Sequence, residues 1–119
     1  MPDAESLVNW EQARAAMGGD LQLLNSVIEA FLEEAPTLLA KIRQSLAARD
    51  ATALHRAAHT LKGTLGYFGN APATELAMQM EVMGRRNTLE EAPPILAELE
   101  IQLARVLACL TAHLGQHAA

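Results

Sequence analysis

The sequence predicts an all-α protein, an antiparallel up-and-down four-helix bundle with a short extra helix at its N-terminus. Apolar residues recur three and four apart along nearly the whole chain, the period of one helix face. No segment alternates with the period of two that a half-buried strand needs. Half of the residues are apolar, yet the aromatics are only two Phe, one Tyr and one Trp. Alanine and leucine must therefore fill the core, which suits closely approached helices. A chain of 119 residues buries a core without staples, and a single domain over residues 1–119, with its core at about 7–114, is expected.

Asn9-Trp10-Glu11-Gln12 reads as a capping box, with Asn9 the cap and Gln12 reaching back to it. The short helix it opens stops at Gly18-Gly19. Asp20 caps a long helix whose stripe is Leu24, Ile28, Phe31, Ala35, Leu38, Ile42 and Leu46. Pro36 falls inside that run and removes a backbone hydrogen bond, so either a kink or two abutting helices is expected there. Asp50 caps the next helix, expected to run to about Phe68 and to stop at Gly69-Asn70. Pro72 suits the first turn of the helix after that, with Ala73, Leu76, Met80 and Met83 as its buried stripe and Gly84 to Asn87 as its end. Thr88 with Glu91 resembles another capping box, but Pro93-Pro94 would then lie too deep in the helix. A single turn at 89–92 is expected instead, with the main helix starting near Pro93. Its seam is Leu96, Leu99, Leu103, Val106 and Leu110, and the tail from Gly115 to Ala119 is expected to fray.

Charge and composition exclude several classes. A formal charge of −5 disfavours a nucleic-acid surface, which needs clustered Lys and Arg. Charges such as Glu98, Glu100 and Arg105 interrupt the apolar stretches, so no membrane contact is expected. The acidic start Met1-Pro2-Asp3-Ala4-Glu5 lacks the apolar centre of a signal peptide, and a cytoplasmic location is the expectation. Cys109 is the single cysteine and lies on a leucine-rich helix, where it reads as a small buried hydrophobe.

The helix after Asp50 has a second face. At about 100° per residue, Leu54, Ala58, Leu61, Leu65 and Phe68 fall on one side. Thr52, His55, Arg56, His59, Lys62, Gly63 and Gly66 fall on the other. Each interior glycine costs a helix about 1 kcal/mol relative to alanine, so a pair beside one histidine asks for a reason. Close approach by another molecule supplies one. His55 and His59, like His113 and His117, are four apart and could grip zinc. Neither pair has a third ligand or the glutamate of a zincin helix, and no metal site is expected.

Ala57-Ala58-His59-Thr60-Leu61-Lys62-Gly63, with Gly69 ten residues after the histidine, closely resembles the histidine phosphotransfer (HPt) domain. Gly18-Gly19-Asp20 with Leu24, Phe31, Leu32 and Ala35-Pro36 is similar to that family's entry helices. Leu76, Met80-Glu81 and Gly84-Arg85 are similar to its downstream positions. The resemblance implies a phosphorelay intermediate that accepts a phosphoryl group on His59 from a receiver-domain aspartate and passes it to another. It implies a substrate protein without kinase activity of its own. No cofactor belongs to this chain, and magnesium is expected on the receiver. The implied partners are receiver domains and a hybrid sensor histidine kinase, met by a monomer. Lys62 is expected to neutralise phosphate charge and Gly63 to clear space. Glu81, with Gln79 as the alternative, is expected to orient the imidazole. Thr52, His55, Arg56, Gly66, Met78 and Gln79 are expected to meet the partner. The competing reading is a helical adaptor that binds receiver-like partners without phosphotransfer.

Overall fold

The computed structural model describes residues 7–116. Among the described residues, five α-helices follow one another: α1 (Trp10–Ala16), α2 (Leu21–Ala48), α3 (Ala51–Leu65), α4 (Pro72–Arg86) and α5 (Ala92–Gln116). A single turn of 3₁₀ helix, Gly66–Phe68, follows α3. The caps are those the side chains dictate. Asn9, Asp20 and Asp50 each accept from the backbone N–H three residues on, at 2.9, 3.0 and 3.0 Å. Gly18 and Gly19 take positive φ of 64° and 81° between α1 and α2, a conformation that glycine adopts without steric penalty. Asn87 ends α4 in the left-handed region, which asparagine tolerates better than most residues.

Helices α2 to α5 pack in a closed ring, each against its neighbours in sequence and α5 back against α2. The interface of α3 with α4 is the most extensive. Leu24, Ile28, Phe31, Leu54, Leu61, Leu65, Met80, Leu99, Leu103 and Leu110 fill the centre with almost no exposure. Alanines at 13, 35, 58, 73, 77 and 92 are fully buried among them, which lets neighbouring axes come close. Cys109 is buried on the inner side of α5.

Several expectations are corrected. Pro36 does not divide its run into two helices, because α2 continues through it for 28 residues. The ring is exposed, so water can take up the carbonyl that proline leaves without an N–H. The stripe of α2 ends at buried Ser45, with Leu46 only half-buried. Ser45 is tolerated because its hydroxyl donates to the Lys41 carbonyl at 2.7 Å. On α4, Leu76 and Met83 lie at the margin of the core, while Ala77 and Gly84 are buried. The α-helical part of α3 stops at Leu65, so Gly66 falls in the 3₁₀ turn. Gln12 does not reach back to its cap; its side-chain amide donates to the Gly66 carbonyl at 2.9 Å. The Asn9 N–H donates instead to the Phe68 carbonyl at 2.7 Å. Other expectations hold: a single turn is closed by the Ala92 N–H on the Leu89 carbonyl at 3.1 Å, and helix α5 begins at Ala92, so both prolines lie in its first turn, where no intrahelical N–H is needed. It remains helical through Gly115 to Gln116; the last three residues of the expected frayed tail lie outside the described residues. Among the described residues, no helix is long and apolar enough to cross a membrane.

Candidate functional site

Burial of Leu54, Ala57, Ala58, Leu61 and Leu65 fixes the rotation of α3. That rotation sends His55, His59 and Lys62 towards α4 and the surface. Helix α4 comes close at this point because residue 84 is glycine. A Cβ there would stand 2.6 Å from the His55 backbone nitrogen and 2.8 Å from the Ala51 carbonyl oxygen. Neither is a flexible side-chain end, so only a residue without a side chain fits. The same turn of α4 delivers Glu81 into the interface, where it is 5% exposed.

Glu81 is used at three atoms. Its Oε2 accepts from His59 Nδ1 at 2.6 Å, and its Oε1 faces Lys62 Nζ at 2.6 Å. Its main-chain carbonyl accepts from His55 Nδ1 at 3.2 Å. Burial by itself pushes the carboxyl pKa up. The hydrogen bond from Lys62, then that from His59, and the charges of these groups outweigh it, leaving the pKa below the ordinary value. The group is therefore an acceptor-only carboxylate, and the proton between it and His59 resides on Nδ1. In the neutral ring the free lone pair is then on Nε2. The His59 side chain is 63% exposed, so the nitrogen that Glu81 does not hold is on the accessible side.

Space over that ring is open. A Cβ added at Gly63 meets nothing within 4 Å, and the same holds at Gly66. Thr52 and Arg56 are exposed, whereas His55 is half-buried, its ring 6.1 Å from that of His59 at an interplanar angle of 17°. Met78 is exposed on α4 and Gln79 partly so. The carboxylate at 81, not the amide at 79, holds the imidazole. On the far flank of α3, Arg56 borders a groove of about 440 Å³ shared with Lys41 and Leu38 of α2. Lys62 differs from the sequence reading: its ammonium lies on Glu81, half-buried, and not beside the ring in open solvent.

Two features escaped the sequence reading. By sequence Gly84 reads as the end of a helix, yet it is the crossing point of α3 and α4; its interior position in a helical run is the available signal. The inward bond of His55 had no local signal, because its acceptor is 26 residues away. Among the described residues, no group of three or more His, Cys, Asp or Glu is gathered to hold a metal. His113 instead stacks on Trp10 at 4.1 Å, and His117 lies outside the described residues.

The fold is shared with solved structures. Histidine-containing phosphotransfer protein B (HptB) from Pseudomonas aeruginosa PAO1 superposes with a TM-score of 0.86 at 19% identity, over 95% of this chain and 98% of that one. The HPT domain of the Hpt sensor hybrid histidine kinase from Shewanella gives 0.81 at 24% identity, over 95% and 97%. A search of curated proteins found no match. The sequence profile of the Hpt domain matches residues 26–109, a span that contains His59, Lys62, Gly63, Glu81 and Gly84. The chain belongs to the Hpt domain family, the phosphotransfer carriers of two-component phosphorelays.

Proposed function

We propose that this protein is a phosphorelay intermediate in which His59 Nε2 takes a phosphoryl group from the aspartyl phosphate of one receiver domain and yields it to the aspartate of another. The observation that carries the reading is the 2.6 Å contact of His59 Nδ1 with the buried Glu81 carboxylate, on a ring that is otherwise exposed. In the forward step the Nε2 lone pair attacks phosphorus. The bond from phosphorus to the aspartyl oxygen breaks, and its electron pair returns to the receiver's carboxylate. The imidazole gains positive charge as the N–P bond forms. Nδ1–H stays on Glu81, whose negative charge stabilises that imidazolium through a charge-assisted hydrogen bond. No proton needs to leave the site in either direction, so the step reverses along the same path.

Lys62 is one turn from His59, a neighbour at i,i+3. As the phosphoryl group brings roughly −1.5 to −2 of charge, its ammonium can swing from Glu81 Oε1 towards the new oxygens. Gly63 leaves the approach clear, since the reacting atoms must come within about 3–3.5 Å. The chain supplies no kinase chemistry. Magnesium, in this reading, is carried by the receiver.

Incubation with a receiver phosphorylated on its aspartate tests the proposal. Label should appear on this protein, labile to acid and stable to base as a phosphoramidate is, and His59→Gln should fold yet take none. Retained labelling in that variant, or its appearance on His55, would overturn the assignment. Amide shift mapping with the same receiver should move Thr52, Arg56, Lys62, Gly63, Gly66, Met78 and Gln79 together. Shifts centred on Leu103 and Val106 would favour an adaptor that binds through the bundle seam.

A further inference from the structure

We propose that His55 is a positioning residue for phosphoryl acceptance, its Nδ1–H holding the main-chain carbonyl of Glu81 so that the carboxylate of the same residue meets His59. This rests on the relay reading above. A glutamate side chain has three rotatable bonds, and its carboxylate finds one partner reliably only where its backbone is fixed. Here the backbone is fixed from the same helix that carries the acceptor ring. His59 takes the side chain of residue 81 at 2.6 Å, and His55, one turn earlier, takes its carbonyl at 3.2 Å. The two rings stand nearly parallel, 6.1 Å apart, both with Nδ1 turned to the one residue of α4. A carbonyl has no proton to offer, so His55 Nδ1 must be the protonated nitrogen. Gly84 packs directly against the His55 backbone, so the hold lies where the two helices are already in contact. A shift of α4 along its axis would break both bonds together.

This role differs measurably from that of a docking contact. A docking residue raises KM for the phospho-receiver, whereas a positioning residue lowers the rate at saturation. His55→Leu keeps apolar bulk and loses the donor. It should lower the saturating rate about tenfold, short of the roughly hundredfold loss that a full 1 Å misplacement can cost, with KM little changed. His55→Asn, whose amide N–H₂ can reach the place of Nδ1, should recover most of it. Long-range proton–nitrogen spectra of the His59 ring give a readout that needs no partner. The unaltered protein and His55→Asn should show the Nδ1–H tautomer, and His55→Leu a mixture. A raised KM with an unaltered saturating rate in His55→Leu would overturn the proposal. So would an unchanged His59 tautomer, or an Asn variant as slow as the Leu one. Should the Leu side chain prevent folding, His55→Ala carries the same comparison. If the unaltered protein accepts no label while the tautomer still responds to residue 55, the relay reading fails and the hold on Glu81 stands.

Discussion

Gly63 and Gly84 are both interior helix glycines within one small region, and they exist for opposite reasons. At Gly63 an added Cβ would meet nothing within 4 Å; at Gly84 it would run into the backbone of α3 at 2.6 Å. One glycine borders open space, which the proposed relay reserves for the receiver. The other is already filled by the neighbouring helix. A glycine in a helix is therefore no statement about function until its surroundings are known. The first is expected to tolerate substitution structurally and fail in transfer, and the second to lose stability when it is filled.

Gly84→Ala puts that contrast under the greatest strain. Overpacking against an inflexible neighbour costs about 1–3 kcal/mol, while the gain in helix propensity returns at most about 1 kcal/mol. Urea denaturation should show a net loss of stability, accompanied by a weakened His59–Glu81 bond. A more stable variant would mean that the crossing has slack and that the two glycines are alike after all.

Gly63→Gln sharpens the other side. Glutamine is a better helix former than glycine by roughly 0.5–1 kcal/mol, so unfolding should move to equal or higher denaturant. Phosphoryl acceptance should slow about tenfold or more, a barrier change of about 1.4 kcal/mol. Unfolding of this variant would show that position 63 is structural.

The smallest effect concerns the acid between them. The carboxyl of Glu81 has a folded-state pKa below its ordinary 4.5. Its contribution to stability is thus fully present above that value and declines as pH falls through the folded-state pKa. Glu81→Gln should flatten the stability profile below about pH 4.5. An unaltered acid slope would mean that the carboxylate gains nothing from Lys62 and His59.

The elements of this fold were legible because their causes are local. Asn9, Asp20 and Asp50 announce helix starts by chemistry that reaches only three residues, and the stripe of α3 follows from spacing alone. What stayed hidden depends on the register between helices far apart in sequence. Gln12 obeys the local rule for a capping box, yet the Gly66 carbonyl, 54 residues on, takes its amide. Lys62 reads as a solvent-facing cation until α4 brings a carboxylate to it. For the same reason nothing local marks His55 as inward-facing. The continuity of α2 through Pro36 was undecided because proline removes a hydrogen bond wherever it sits, and only its exposure says that water can replace the partner.

The attachment of α1 bears on where this domain can be cut. The family pattern begins at residue 26, after α1 has ended. Yet Asn9 and Gln12 satisfy the Phe68 and Gly66 carbonyls, and Trp10 lies flat on His113 of α5. A fragment trimmed to residues 26–109 would lose Trp10 and His113 together, leave two carbonyls of the turn after α3 to solvent, and loosen the end of the helix that carries His59. The contacts that hold this turn reach beyond residues 26–109, and grafts or fusions that exchange such domains should take their boundaries from that clasp.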